Sequence, residues 1–284
     1  MPHGPFHDWD THADRLICEG EIDLPYLMQA IGWLAELADP LRILDIGSGP
    51  GVATVVLAQR FPAARVTAAD GASGLLAAAQ QRGEHAGVAD RVSTMKVSLD
   101  GDLASLPQAD LIWASRVIHH VPDQAAVLRR LAGRLHPGGL IALVEGGLPV
   151  RFLPEEYGAG APGLLHRLDA AASLGLAPVL HHDGSSPVPR PVLDWPFQLA
   201  QAGLTPSGSR TFLLDLPAPV TAAVRTRVAR RLQLTLDLAS EHLTSADRDS
   251  VERLLDPANQ LGVLNRPDLF LLSANTVHTA RRPR

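Results

Sequence analysis

The chain has 284 residues, 46% hydrophobic and 19% charged, with a formal net charge of -5. That composition suits one large globular domain or two small ones, and no apolar run approaches the roughly 18 residues of a membrane span. An acidic balance with scattered arginines sets nucleic acid aside as a partner, and the single cysteine, Cys18, excludes an internal disulfide and fits a reducing cytoplasm.

The first segment, residues 1–38, holds Phe6, Trp9 and Arg15 and lacks the basic-then-apolar pattern of a secretory signal. It ends in an amphipathic helix over Leu24 to Leu37, opened by Asp23 and Pro25. From residue 39 to 147 apolar strand-like runs alternate with helical patterns, the signature of a parallel sheet covered by helices on both faces. Strands are expected at Arg42 to Ile46, Arg65 to Ala69, Val92 to Val97, Ala109 to Ala114 and, after the turn "HPGG", Leu140 to Glu145. Helices are expected near Val52 to Arg60, Ser73 to His85 and Asp123 to Leu135.

Residues 148–191 read as an insertion or linker, with a helical piece at Gly163 to Ser173 and the loop "HHDGSSPVPRP" at its end. The remainder, 192–284, carries a helix in "LDWPFQLAQAGL", a sixth strand in "SRTFLLDL", a helical insertion over 218–255 and a last strand at Leu269 to Thr279.

The first strand ends in Asp45-Ile46 and runs into Gly47-Ser48-Gly49-Pro50-Gly51. Glycines there allow a sharp turn and let a ligand approach the backbone, and the helix beyond offers free N–H groups. A dinucleotide fingerprint would place its third glycine or alanine where this chain has Val52, and no phosphate-loop lysine follows. Asp70, nineteen residues past Gly51 at the end of the second strand, suits a carboxylate that accepts hydrogen bonds from a ribose, which fits either nucleotide cofactor.

"LDIGSGPG", Asp70, "ASRVIHHV" and "LHPGGLIALVE" form an ordered series that resembles the class I S-adenosylmethionine-dependent methyltransferases. The resemblance covers about residues 40 to 147, and the sixth and seventh strands match the family's closing antiparallel pair. It implies an α/β fold: a Rossmann-like seven-stranded, mostly parallel sheet with helices on both faces and a helical lid. It implies S-adenosyl-L-methionine as cofactor, held through Asp45, Gly47, Ser48, Gly49, Gly51, Asp70 and Gly71. Ala114 and Ser115 line the pocket at the sheet's carboxyl edge. After the third strand the family places an acidic and an apolar residue against adenine. Strand geometry here favours Leu99 and Asp100, while Asp102 and Leu103 match the local motif four residues later.

Arg116, His119 and His120 follow the fourth strand, and with Trp9 and Arg15 they are the candidate acceptor contacts. His119 reads either as a general base near neutral pH or as a residue that packs and positions. His181, His182 and Asp183 read as a solvated turn, so no metal site is expected. Cys18 reads as a small buried residue.

Methyl transfer from a sulfonium is an in-line displacement that asks mainly for alignment and desolvation, so the motifs identify the cofactor and leave the acceptor open. The expectation is a bacterial methyltransferase of natural-product metabolism, acting on a small molecule or peptide and admitting a homodimer. Acceptor choice is assigned to the N-terminal segment, residues 147–191 and the 218–255 helices. The competing readings are a nicotinamide dehydrogenase, opposed by Val52 and by the histidine pair His119-His120, and a methyltransferase-like binding protein without catalysis.

Overall fold

The computed structural model describes residues 13–101, 103–121, 123–180 and 194–284. Trp9, Asp102, His181, His182 and Asp183 lie outside the described residues. Five strands, β1 (Arg42–Ile46), β2 (Arg65–Asp70), β3 (Val92–Lys96), β4 (Ala109–Ser115) and β5 (Leu135–Arg151), pair in parallel. With β6 (Thr205–Leu216) and β7 (Leu271–Arg281) they form a seven-stranded sheet in the order β3-β2-β1-β4-β5-β7-β6. Ser207 bonds to Thr279, Ser209 to His278 and Thr211 to Thr276, so β6 and β7 run antiparallel.

The central strands are buried on both faces, which explains why burial in β1 and β4 is nearly continuous and does not alternate. Ile43, Leu44 and Ile46 of β1 and Leu111, Ile112, Trp113 and Ala114 of β4 are all buried. The covering helices include α2 (Val52–Arg60), α3 (Ser73–His85) and α4 (Gln124–Ala132), the last capped by the Asp123 carboxylate, which accepts the Ala126 N–H. Ile46 pairs with Ala69 of β2 and with Ala114 of β4, and Ala114 pairs with Leu143 of β5. These strands therefore end nearly level, and their outgoing loops meet at one edge.

Among the differences from the sequence reading, two bear on the sheet edge. The first helix, α1, spans Ala13–Leu37 with Pro25 inside it, so Asp23 and Pro25 do not open it. Asp23 is 1% exposed, and its carboxylate accepts a hydrogen bond from Arg116 at 2.5 Å. A tertiary ion pair thus claims the carboxylate that sequence alone reads as a cap, and Pro25 costs the helix one backbone hydrogen bond. Strand β5 begins five residues earlier than expected because "HPGG" lies within it as an irregularity: Ala109 pairs with Leu135, whereas Leu111 pairs with Leu140. Helices α2 and α3 have the expected bounds, and after α5 (Leu164–Leu180) and α6 (Trp195–Gln201) the helices α7 (Ala222–Ala239) and α8 (Ser245–Leu255) fall within the expected helical insertion.

The chain forms two compact units that interleave in sequence. The first takes Met1–Gly147, Val192–Phe212 and Asn275–Arg284, and the second takes Leu148–Pro191 and Leu213–Ala274. Residues 192–284 are therefore shared between them. The second unit has its own apolar interior, with Phe152, Leu165, Leu168, Val228, Leu232 and Val251 all buried. It also has its own ion pairs: Asp169 joins Arg151 at 2.6 Å and Arg231 at 2.8 Å, and Arg167 lies on Asp247 at 2.8 Å. Among the described residues no helix is long and apolar enough to cross a membrane.

The entry to α2 carries a strict steric demand. Gly51 sits at φ +78°, and a Cβ there would come within 2.6 Å of Ala79 Cβ and 2.7 Å of its Cα. Gly51→Ala is expected to destabilise the fold by about 1–3 kcal/mol, read as a lower denaturant midpoint with an unchanged slope.

Candidate active site

The glycine loop is fastened to β2 at three points. The N–H groups of Gly47 and Ser48 both donate to the Ala69 carbonyl, at 2.8 and 3.2 Å, and the Gly49 N–H donates to Asp70 Oδ2 at 2.9 Å. The other Asp70 oxygen accepts the Ala72 N–H at 2.9 Å. Gly51 closes the loop, donating to the Ser48 carbonyl at 3.1 Å and accepting the Val55 N–H of α2 at 3.1 Å. Two features of this loop bear on a ligand: Ser48 Oγ is buried with no hydrogen-bond partner among the described residues, and a Cβ added to Gly49 would meet nothing within 4 Å.

Asp45 lies beneath the loop, 2% exposed, and accepts the Thr54 hydroxyl at 2.5 Å. Burial pushes its carboxyl up from 3.8 to about 7; the Thr54 hydrogen bond opposes the rise and the Asp70 carboxylate adds to it.

On the other side of the edge, the chain leaves β4 through Ser115 and then Arg116, which holds φ +53°, a left-handed conformation that is costly for a residue with a side chain. The Arg116 N–H donates to the Val144 carbonyl at 2.9 Å, and its guanidinium reaches Asp23 of α1. Desolvation acts against the Arg116 charge, but Asp23 outweighs it and raises the guanidinium further above its ordinary value. A single buried carboxylate, Glu145 at the level of the next strand, gathers the turn that follows. Its Oε1 accepts the N–H groups of Val117, Ile118 and His119 at 3.1, 3.0 and 3.4 Å, and its Oε2 meets His119 Nδ1 at 2.8 Å. The His120 ring stands 4.0 Å from that of His119, and burial together with His119 lowers its pKa to about 4, so it is neutral near pH 7.

The structure brings together Asp45, Gly47, Ser48, Gly49, Gly51 and Asp70 in one cradle, with Ala114 buried beside Ile46 and Ser115 at the strand end. Gly71 follows Asp70 directly and is exposed. Leu99 is partly buried against the core, and its carbonyl accepts Arg130 at 2.9 Å, while Asp100 is exposed in the turn closed by the Gly101 N–H to the Ser98 carbonyl. The Val97 N–H bonds to the Asp70 carbonyl at 2.9 Å, which brings the exit of β3 beside the cradle. Arg15 shares a face of α1 with Glu19 and Asp23 at four-residue spacing, and its buried Nε has no hydrogen-bond partner among the described residues.

A family profile described as "Methyltransferase domain" matches residues 44–141. Over those residues the chain is similar to methyltransferase domains. A protein named trans-aconitate 2-methyltransferase from Methylobacterium nodulans is 39% identical over 143 residues, 48% of this chain and 51% of that protein. An uncharacterized protein of Synechococcus is 46% identical over 101 residues, 35% of this chain and 24% of that one. The chain thus spans about half or less of the length of these relatives. The structure of the YcgJ protein from Bacillus subtilis shares the fold, with 19% identity and a TM-score of 0.52 over 90% of this chain and 99% of that chain.

S-adenosylmethionine is the cofactor that such a domain implies, and the residues present fit it. The unpartnered Ser48 hydroxyl and the open space over Gly49 suit a polar ligand laid against backbone, and each Asp70 oxygen retains a lone pair for a ribose hydroxyl. The dinucleotide alternative loses its support with the family match.

Sequence reasoning missed two groups. In sequence Asp23 reads as a helix opener and Glu145 as the polar end of the strand "LIALVE". The available signal was its place: an acid that closes a fully apolar run in a central strand has to find buried partners.

The Asp45 environment sets a pH dependence. Because its folded pKa is raised above the unfolded value, the folded state binds this proton more tightly. Its contribution to stability is complete below about pH 4 and is lost as the pH rises through about 7. Chemical denaturation of the wild type is expected to show that decline across the window, and Asp45→Asn is expected to flatten it.

Proposed function

We propose that this chain is an S-adenosylmethionine-dependent methyltransferase acting on a small molecule or peptide. The observation that carries the proposal is the cradle itself: a glycine loop clamped by the Asp70 carboxylate, with a buried hydroxyl of Ser48 left for a ligand. When bound, the cofactor supplies an electrophilic methyl group on sulfur. The chain's part is to hold, orient and dry. Gly47 to Gly51 present backbone to the charged end, Asp70 takes the ribose, and Leu99 with Asp100 lies where adenine leaves the sheet edge. Arg116, held by Asp23, and His119, held by Glu145, face the acceptor from the β4 exit.

The relatives named trans-aconitate 2-methyltransferase support a small polar acceptor. A setting in bacterial natural-product metabolism is supported by composition only. A cytoplasmic location and the absence of nucleic-acid and membrane partners belong to the same proposal, supported by the single cysteine, the charge of -5 and the lack of a long apolar run, and a homodimer is part of it without a supporting observation.

Calorimetric titration tests the reading. S-adenosylmethionine and S-adenosylhomocysteine are expected to bind with micromolar dissociation constants and NAD not at all; NAD binding with no response to either sulfur compound overturns the assignment. Asp70→Ala is expected to weaken S-adenosylhomocysteine binding about 10- to 100-fold, since a hydrogen bond to a charged group contributes roughly 1.5–3 kcal/mol. An unchanged constant means that the ribose is held elsewhere.

A further inference from the structure

Among the described residues, the buried Glu145 carboxylate is the most heavily engaged acid at the sheet edge. It is 3% exposed, and four donors converge on it: three backbone N–H groups on Oε1 and the His119 ring on Oε2. With Oε1 taken up by three N–H donors, Oε2 is the oxygen left to accept from the ring. Nδ1 of His119 must then carry a hydrogen, so in the neutral ring the lone pair sits on Nε2.

The rest of the ring's surroundings leave that nitrogen available. The His119 side chain is 38% exposed, and its Nε2 has no hydrogen-bond partner among the described residues. His120 is the other titratable group against the ring, and it is uncharged near pH 7. His278 lies behind Glu145, where it bonds to that residue's backbone carbonyl and to Ser209, and burial lowers its pKa, so it brings no positive charge to the pair. The turn that bears His119 also touches the cofactor cradle, because Val117 packs over Gly47 so closely that a Cβ there would lie 2.4 Å from Val117 Cγ2.

We propose that Glu145 is a positioning residue that fixes His119 with Nε2 outward as a proton acceptor, and that the methyl acceptor is therefore a hydroxyl or an amine. The inference rests on methyl transfer as the reaction. In that transfer the acceptor's lone pair forms the bond to the methyl carbon and the carbon–sulfur pair returns to sulfur. The acceptor keeps the electrons of its O–H or N–H bond, and the proton passes to Nε2. The resulting imidazolium faces the Glu145 carboxylate, which stabilises it. A carboxylic acid arrives already ionised near neutral pH and has no proton to give.

Nitrogen-15 NMR of the histidine rings, with and without S-adenosylhomocysteine, tests the arrangement apart from turnover. Wild-type His119 is expected as the Nδ1–H tautomer. In Glu145→Gln the amide oxygen takes over the three backbone N–H groups and its NH2 donates to Nδ1, so the ring proton is expected on Nε2, with S-adenosylhomocysteine affinity changed less than about threefold. Transfer to a mixture of simple phenols, alcohols and amines is expected to fall at least about 100-fold in that variant. An Nε2–H tautomer in the wild type overturns the proposal while leaving the methyltransferase reading intact, and it decides the matter even if the variant does not fold. Methylation of trans-aconitate at a rate indifferent to Glu145→Gln overturns the acceptor class. Failure of the wild type to bind S-adenosylhomocysteine removes the reaction on which both rest.

Discussion

A carboxylate that accepts backbone N–H groups holds this site in shape, and the sheet edge uses the device twice. Asp70 ties the glycine loop to the end of β2, and Glu145 ties the turn after β4 to the end of the buried run in β5. Parallel strands make the device necessary. Their ends leave peptide groups without ladder partners where the chain must turn, and buried N–H groups without partners are costly. Each carboxylate satisfies several such groups at once, and in doing so it fixes the loops to which ligands must fit.

The charges around that edge follow from the same economy of partners. Asp45 has one neutral donor and a second carboxylate nearby, so it tends to keep its proton, whereas Asp23 has a guanidinium and stays in a salt bridge. Arg116 pays for its reach with a left-handed backbone, an arrangement that persists only where surrounding contacts over-determine it. Here those contacts are its N–H to the Val144 carbonyl and its side chain to α1. A residue at that position links the first helix of the chain to the exit of a central strand, ninety-three residues away.

Much of the first unit was legible in the sequence, because its signals are local. Continuous apolar runs locate β1 and β4, glycines locate the loop, and the bounds of α2 and α3 follow from their helical periodicity. What escaped depends on partners distant in sequence. Asp23 has the residue type and spacing of a cap, and only the fold reveals Arg116 opposite it. "HPGG" has the chemistry of a turn, and only pairing with β4 shows it lying within a strand. Glu145 reads as the polar end of an apolar run until the turn after β4 folds onto it. The interleaving of the two units was equally hidden, since no change in composition marks Phe212 or Asn275.

The chain passes between those units more than once. Covalent connections pass from one to the other at 147/148, 191/192, 212/213 and 274/275, and three of these four crossings lie within β5, β6 and β7. A module fused at a terminus would need a single junction. Material threaded in at two places leaves the ends of the host untouched, and each inserted piece can lengthen or diverge while the host strands keep their order. The second unit is thus made of two pieces of chain, each leaving and re-entering the sheet-bearing unit, that complete one apolar core only together.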